Sequence, residues 1–263
     1  MKVVILAGGF GTRISEETVY RPKPMIEIGE KPILWHIMKY YSFYGFNDFI
    51  ICAGYKQHVI KQFFADYFFH TSDIIFDFTL NADSANHIQV LQKHSEPWKV
   101  TVVDTGLSTL TGGRIKRIKS FITEDDFMLT YGDGLSDVNL QELLSFHKSN
   151  NKIATLTAVQ PGGRFGRIDI NSDNLIRNFA EKKIEDGGWI NGGFMVLNQK
   201  VFDYIDGDNT PLEEKPLERL CRDNQLLAFK HYGFWRCMDT LRDRNALEDL
   251  LRSGTAPWKI WEN

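Results

Sequence analysis

The stretch that decides the fold is KVVILAGGFGTR, residues 2–13, in which a short apolar run leads into three glycines within four positions and then an arginine. A continuous apolar run of this length predicts a buried strand. Glycine permits positive φ and a close approach of the backbone to a ligand, and arginine offers a planar fork of donors. The composition favours a phosphate-binding loop, although a plain tight turn would also fit.

Outward from that stretch, predicted strands alternate with predicted helices as far as about residue 160. Residues 32–45, for example, carry apolar side chains at helical spacing, and residues 48–55 read as the next buried strand. This alternation predicts an α/β fold with a largely parallel sheet flanked by helices. Beyond residue 160, short strands between turn signals predict a smaller β-rich region that ends in a helix. We therefore expect one domain over 1–263, with parts at about 1–160 and about 161–263.

Composition limits the classes of function. Hydrophobic residues make up 43% of the chain and charged residues 25%, which is typical of a globular protein, and the net charge of −3 argues against nucleic acid as the main partner. No apolar run is long enough to span a membrane, and no signal peptide precedes the first strand. The three cysteines are too few for a disulfide framework, so we expect a cytoplasmic protein.

Two common phosphate-binding motifs fail at the glycine-rich loop. A dinucleotide fingerprint needs glycines at its first, third and sixth positions, and the sixth position counted from Gly9 is Ile14. A P-loop would end in Gly-Lys-Ser or Gly-Lys-Thr, whereas this loop ends in Gly-Thr-Arg. A dinucleotide-dependent oxidoreductase is therefore disfavoured.

Lys23 is the first charged residue that supports a phosphate site. It lies between two prolines in RPKPM, residues 21–25, and prolines bias the chain towards an extended, stiffened loop. The ammonium is a point charge suited to a nucleotide phosphate. Its position soon after the glycine-rich loop strengthens that interpretation.

Two aspartates are candidate metal ligands. Asp133 follows an apolar strand in TYGDG, residues 130–134, and ligands of open α/β sheets gather at the carboxyl ends of strands. Mg²⁺ prefers carboxylate oxygens and substrate phosphates. Asp133 could equally form a turn, and Asp239, just before a predicted helix, could be a second metal ligand or the helix cap.

The C-terminal part adds a pair that could bind a sugar phosphate. Glu181 could accept hydrogen bonds from sugar hydroxyls and Lys182 could hold a phosphate, although such a pair is more often a solvated surface. The segment NGGF, residues 191–194, could let a ring approach the backbone or could be a bulge. No arrangement typical of a serine or cysteine nucleophile is evident. Phosphate donors and carboxylates without a nucleophile favour phosphoryl or nucleotidyl transfer, which depends on positioning and charge neutralisation.

A family resemblance joins these features. The segments LAGGFGTR, RPKPM, DTGLSTLTGGRIKR, TYGDG, NGGFMVL and GFWRCMDTLRD, in this order along nearly the whole chain, resemble the sugar-phosphate nucleotidyltransferases. The resemblance is closest to the branch that uses CTP and glucose 1-phosphate. It implies Mg²⁺ as cofactor, direct in-line attack to give CDP-glucose and pyrophosphate, and a homo-oligomer, typically a hexamer. It also implies a role in dideoxyhexose synthesis for the O-antigen of lipopolysaccharide.

The resemblance assigns roles position by position. It implies that Arg13, Lys23, Asp133 and Asp239 act in catalysis, the two aspartates as ligands of Mg²⁺. The part at about 1–160 would bind the nucleotide and the part at about 161–263 the sugar phosphate. The implied nucleotide-binding residues are Leu6, Ala7, Gly8, Gly9, Phe10, Gly11, Thr12, Arg13, Lys23, Thr109, Arg114 and Gly132. The implied sugar-phosphate-binding residues are Glu181, Lys182, Asn191, Gly192 and Gly193.

Several alternatives stay open. The family often has proline after the sugar-phosphate lysine, whereas this chain has Lys183 there. A thymidylyl- or uridylyltransferase would share most of these residues. A catalytically silent nucleotide-sugar sensor or a regulatory subunit is a further possibility, but it would not need Asp133 and Asp239 together with Lys182. We expect Arg114 to face the O2 or N3 edge of cytosine and to help the site prefer CTP over UTP.

Overall fold

The computed structural model describes residues 1–79, 87–93, 95–160, 166–170, 176–181 and 188–262, with the backbone alone at 92–93, 166–170 and 176–181. The described strands are β1 (Lys2–Ala7), β2 (Glu27–Ile28), β3 (Lys31–Pro32), β4 (Asp48–Ala53), β5 (Ser72–Phe76), β6 (Ile88–Lys93), β7 (Lys99–Asp104), β8 (Asp126–Tyr131), β9 (Gly134–Ser136), β10 (Ala154–Val159), β11 (Gly166–Ile170), β12 (Ile176–Glu181), β13 (Ile190–Asn198), β14 (Leu226–His231) and β15 (Trp235–Cys237).

The described α-helices are α1 (Ser15–Thr18), α2 (Ile33–Phe43), α3 (Gln57–His70), α4 (Thr111–Arg117), α5 (Leu140–Asn150), α6 (Lys215–Arg222) and α7 (Leu241–Arg252). Short 3-10 turns cover Thr12–Ile14, Lys23–Met25, Lys119–Phe121 and Gln199–Tyr204. Within the described ranges, every helix is too short or too polar to span a bilayer.

Seven strands form the central sheet, in the order β14-β10-β13-β8-β1-β4-β7. β1 is an interior strand and pairs in parallel with β4 and with β8, so that Val3 lies beside both Phe49 and Met128. β13 runs antiparallel to both of its neighbours, β8 and β10. The expected α/β fold with a largely parallel sheet is confirmed, and β13 and β14 show that segments after residue 160 complete the same sheet.

The core lies on both faces of this sheet, which explains why the strand segments are apolar without alternation. Val3 and Ile5 point to one side, where they join a buried cluster with residues of α2. Val4 and Leu6 point to the other side and pack in a second cluster with Ile115 of α4. β1 is therefore fixed from both faces, and its carboxyl end becomes a rigid platform for the loop that follows.

The structure also locates elements that the sequence did not predict. The sequence of residues 81–96 has no clear hydrophobic period, and the described portion contains β6, which pairs antiparallel with β5. The glycine-rich segment Thr111–Arg117 forms α4, although two glycines lower its intrinsic helix propensity. Gly112 and Gly113 lie so close to the backbone at Thr210 and Asp208 that side chains there would clash. Tertiary packing therefore decides this helix.

Candidate active site

The glycine-rich loop begins where β1 ends, at the carboxyl edge of the sheet. Gly11 has φ of +65°, a left-handed conformation that glycine adopts without strain. A 3-10 turn follows at once and contains Arg13. The carbonyl of Gly11 accepts a hydrogen bond from Thr18 Oγ1 at 3.2 Å. The local sequence thus reverses the chain within a few residues and presents Arg13 at the edge of the sheet.

Asp133 and Asp239 are brought together by a short antiparallel ladder. Asp133 lies between β8 and β9, and Asp239 lies two residues beyond β15. β9 and β15 pair with Cys237 opposite Gly134, and the N–H of Met238 donates to the carbonyl of Asp133 at 2.8 Å. The ladder therefore places the carboxylates of Asp133 and Asp239, which are far apart in the sequence, next to each other.

The cap of α7 settles one open alternative. Thr240 is the N-cap, since its hydroxyl accepts from the N–H of Asp243 while the Asp243 carboxylate accepts from the N–H of Thr240. This reciprocal capping box satisfies the start of the helix. The interpretation of Asp239 as the helix cap is wrong, and its carboxylate is available for other partners.

Lys23 lies between the two carboxylates. Its Nζ is 2.5 Å from Asp133 Oδ2 and 2.8 Å from Asp239 Oδ1. Arg13 Nη1 lies 2.6 Å from Asp239 Oδ2, so the second oxygen of that carboxylate is also paired. All four residues assigned to catalysis by the resemblance therefore form one ion-pair cluster.

Burial and charge shift the pKa values of Lys23, Asp239 and the neighbouring Cys237. Burial alone would lower the pKa of Lys23, but Asp133 and Asp239 outweigh it and raise that pKa. Burial opposes ionisation of Asp239, but the hydrogen bond and charge of Lys23 outweigh it and lower the pKa of the carboxyl. Burial, reinforced by Asp239, raises the pKa of Cys237 to about 12. The thiol of Cys237 therefore stays protonated, donates to Asp239 Oδ2 at 3.3 Å and is a poor nucleophile.

A cavity of about 380 Å³ opens beside this cluster, at the carboxyl ends of β1 and β8. A site of this size can hold a nucleotide-sized ligand. Of the predicted nucleotide-binding and metal-binding residues, those that line it are Leu6, Ala7, Gly8, Gly9, Phe10, Gly11, Thr12, Arg13, Lys23, Thr109, Arg114, Gly132 and Asp133. Asp239 is joined to them through Lys23 and Arg13.

Arg114 lines the cavity, yet both terminal nitrogens of its guanidinium already donate hydrogen bonds within the protein. Its Nη1 donates to the carbonyls of Ala53 and Gly106 and to Thr105 Oγ1, and its Nη2 donates to the carbonyls of Gly8 and Leu107. Arg114 is 4% exposed, and burial lowers its pKa. Its guanidinium therefore ties the glycine-rich loop to the 105–107 turn, and the expected contact with the base stays a prediction.

The donor set at the cluster fits Mg²⁺. Across the part of the chain that the structure describes, no three histidine, cysteine, aspartate or glutamate side chains are grouped to hold a metal. Asp133 and Asp239 could supply two carboxylate ligands, and Mg²⁺ usually takes one or two carboxylates and completes its shell with water and substrate phosphates. Arg13 and Lys23 lie where they could reach those phosphates.

Comparison with known proteins agrees with this geometry. The sequence model of the nucleotidyl transferase family matches residues 2–240. The chain belongs to the nucleotidyl transferase family. It is 54% identical over 263 residues to the glucose-1-phosphate cytidylyltransferase of Salmonella typhimurium, with 100% of both chains covered. It is 44% identical over 262 residues to a protein of Bacillus subtilis named "Probable glucose-1-phosphate cytidylyltransferase", covering 99% of this chain and 100% of that one.

A solved structure shares the fold. The crystal structure of HddC from Yersinia pseudotuberculosis superposes with a TM-score of 0.66 at 24% identity, covering 95% of this chain and 99% of that one. The fold is therefore that of the family, and the full-length identities place the chain among the glucose-1-phosphate cytidylyltransferases.

Three predicted sugar-side residues that the structure describes in full, Asn191, Gly192 and Gly193, are not among the residues that line this cavity. Lys182 falls outside the described residues, and Glu181 is described in its backbone only, at the end of β12. At the start of β13, Asn191 Nδ2 lies 3.4 Å from the hydroxyl of Tyr131, and the carbonyl of Gly192 accepts from Trp235 Nε1 at 2.7 Å. The start of β13 is thus joined to both strands that lead to the aspartates.

Sequence reasoning missed a group of residues that shape the cavity. Tyr131 lines it and donates to Glu213 Oε1 at 2.5 Å, while Thr111 donates to Glu213 Oε2 at the same distance. Tyr131 directly precedes Gly132, so its position after a strand was a usable signal, whereas nothing local marks Glu213. The other unpredicted lining residues are Pro24, Leu107, Ser108 and Leu110.

Proposed function

We propose that this chain transfers a cytidylyl group from CTP to α-D-glucose 1-phosphate, giving CDP-glucose and pyrophosphate. The observation that carries the proposal is the cluster of Lys23 and Arg13 with Asp133 and Asp239 at the rim of the glycine-rich cavity. The 54% identity to a glucose-1-phosphate cytidylyltransferase supports the choice of substrates within the family.

The chemistry would be a direct displacement. A phosphate oxygen of glucose 1-phosphate attacks the α-phosphorus of CTP, the new P–O bond forms, and the bond to the β-phosphate oxygen breaks, so that pyrophosphate leaves with the electron pair. Mg²⁺ held by Asp133 and Asp239 would neutralise charge on the phosphates. The protonated thiol of Cys237 gives no reason to invoke a covalent enzyme intermediate.

This chain's own residues supply positioning and charge. The loop after β1 offers glycine backbone to the triphosphate, and Arg13 and Lys23 offer cationic donors that stabilise negative charge as it moves to the leaving group. We propose that Lys182 fixes the attacking phosphate and that Glu181 and the start of β13 at Asn191 face the glucose. These sugar-side roles rest on the family resemblance.

A pyrophosphate-release assay with a panel of nucleotides and sugar phosphates tests the proposal. CTP, UTP, dTTP, GTP and ATP are each combined with glucose 1-phosphate, mannose 1-phosphate and galactose 1-phosphate, with Mg²⁺ present. We expect the CTP and glucose 1-phosphate pair to give the highest kcat/KM. Preference for dTTP or UTP would identify a thymidylyl- or uridylyltransferase, and no turnover with any pair would favour a sensor.

We also propose that the chain acts in the cytoplasm as a homo-oligomer, a hexamer as the resemblance implies, and that its product enters dideoxyhexose synthesis for O-antigen. An apolar surface supports the assembly: Phe76 and Phe78 stack at 6.4 Å between ring centroids beside β5, and Phe78 is 90% exposed. Exposed apolar patches often mark protein interfaces. Light scattering coupled to gel filtration would give the mass of the assembly.

A further inference from the structure

The ammonium of Lys23 occupies one oxygen of each of the two carboxylates that a metal would use. It is bound at 2.5 Å to Asp133 Oδ2 and at 2.8 Å to Asp239 Oδ1, and it bridges the two side chains. The remaining oxygen of Asp239 is taken by Arg13 Nη1 and the Cys237 thiol. A divalent cation shared by the two aspartates would therefore have to compete with Lys23.

The surroundings make this competition strong. The Lys23 side chain is 10% exposed and that of Asp239 is 14% exposed, so water screens their attraction only in part. Hydrogen bonds between ionised groups are shorter and stronger than neutral ones. Pro22 and Pro24 flank Lys23, and its own backbone lies in a 3-10 turn, so that only the side chain is free to move.

The same side chain has an alternative partner within reach. Lys23 lines the cavity together with Gly8, Gly9 and Gly11, where the triphosphate is proposed to bind. A triphosphate carries several negative charges and would attract the ammonium away from the carboxylates. Moving the head of a lysine towards the loop requires rotation about side-chain bonds and no change in the fold.

We propose that Lys23 couples nucleotide binding to metal binding: it holds Asp133 and Asp239 until a nucleoside triphosphate attracts its ammonium, and only then are both carboxylates released to the divalent cation. The inference rests on the proposed function, in which these two aspartates hold Mg²⁺. By linkage, the metal must strengthen nucleotide binding by the same factor that the nucleotide strengthens metal binding.

The test measures binding of Mn²⁺ alone, followed by electron paramagnetic resonance, to protein without nucleotide. Lys23→Met and Lys23→Gln remove the competing charge, and Lys23→Arg keeps it. We expect the two neutral variants to bind Mn²⁺ at least about tenfold more tightly than the wild type, equal to about 1.4 kcal/mol, and Lys23→Arg to resemble the wild type. Arg21→Met is the matched control, since Arg21 pairs with Glu27 away from the carboxylates and its loss should leave the affinity unchanged.

Thermal unfolding gives a second readout. Removing Lys23 leaves two carboxylates facing one another, so Mn²⁺ should raise the unfolding temperature of Lys23→Met more than that of the wild type. Equal Mn²⁺ affinity in wild type, Lys23→Met and Lys23→Gln, with equal temperature shifts, overturns the inference. A gain in affinity shared by Arg21→Met would also overturn it, because net charge alone would then be the cause.

A separate arm distinguishes this failure from failure of the proposed function. The wild type and the variants Asp133→Asn and Asp239→Asn are each titrated with Mn²⁺ in the presence of the non-hydrolysable analogue α,β-methylene-CTP. Tight Mn²⁺ binding that depends on both aspartates supports the metal site whatever the Lys23 variants show. If Mn²⁺ binds equally well to both asparagine variants, the two aspartates are not the metal ligands, and the inference about Lys23 is overturned as well.

Discussion

The backbone N–H of Met238 donates to the carbonyl of Asp133 at 2.8 Å, and this one hydrogen bond extends the ladder between β9 and β15 up to the two carboxylates. Because the ladder fixes the backbone on both sides, the spacing of Asp133 and Asp239 is set before any ligand binds. Preorganisation of this kind is what electrostatic catalysis requires.

Changing either aspartate to asparagine should abolish most of the activity. Asp133→Asn and Asp239→Asn keep the shape of the side chain but lose the charge, and we expect turnover to fall by on the order of 100-fold or more. Asp249→Asn, on an exposed helix face where Asp249 pairs with Arg252, is the control and should retain wild-type turnover. Near-normal activity of both site variants at ordinary Mg²⁺ would remove the metal assignment.

Gly193 should be intolerant of even one methyl group. It has φ of +82°, and an added Cβ would lie within 3.0 Å of Cε2 of the Tyr131 ring. We expect Gly193→Ala to lower the free energy of unfolding by about 1–3 kcal/mol and to lower kcat/KM, because Tyr131 precedes Gly132 and Asp133. Gly188→Ala, where no atom of the described residues lies within 4 Å of the added Cβ, should change stability by less than about 0.5 kcal/mol. Denaturant unfolding of both variants makes the comparison, and equal stabilities would contradict the constraint.

The preference for CTP over UTP tests the role of Arg114. A site that reads the N3 edge of cytosine should favour CTP by at least about tenfold in kcat/KM, and Arg114→Ala would then narrow that ratio. The hydrogen bonds of Arg114 to the carbonyls of Gly8 and Gly106 favour a structural role instead. If Arg114 has that role, Arg114→Ala raises KM for CTP and UTP by a similar factor, and the ratio of the two kcat/KM values stays unchanged. Steady-state kinetics with both nucleotides decides between the two roles.

His36 should make the fold sensitive to mild acid. The ring is 3% exposed, its Nε2 donates to the carbonyl of Ile28 at 2.8 Å, and Nδ1 accepts from Trp258 Nε1 at 3.4 Å. Burial lowers the pKa of His36 to about 4. The unfolded chain, with a pKa near 6.5, binds the proton first, so stability is lost as pH falls from about 6.5 to about 4, by up to about 3 kcal/mol.

Denaturant unfolding between pH 7.5 and 4.5 measures that effect. We expect His36→Gln to be less stable than wild type at pH 7.5 but to lose less stability on acidification. His58→Gln changes an exposed histidine and should follow the wild-type curve. Parallel curves for all three proteins would assign the acid sensitivity to other groups.

The sequence by itself determined the fold class and most of the residues that line the cavity. A strand buried on both faces must be apolar throughout, so the apolar segment KVVILA predicts an interior strand. A left-handed backbone conformation favours glycine, so the glycines of GGFG predict the tight loop that follows. Such local requirements act on neighbouring residues, and they leave a readable pattern. The failure of the dinucleotide and P-loop motifs was visible in the same way.

Tertiary structure decided what depends on distant partners. Nothing near Thr111 predicts α4, since the close backbone at Thr210 and Asp208 makes its glycines necessary. Glu213 has no local motif, and it contacts two lining residues of the cavity only because the hydroxyls of Tyr131 and Thr111, far from it in sequence, donate to its carboxylate. The bridge from Lys23 to Asp133 and Asp239 likewise forms because β9 and β15 pair. Hydrogen bonds and ion pairs between residues far apart in the chain leave no periodic pattern, so only the folded chain shows them.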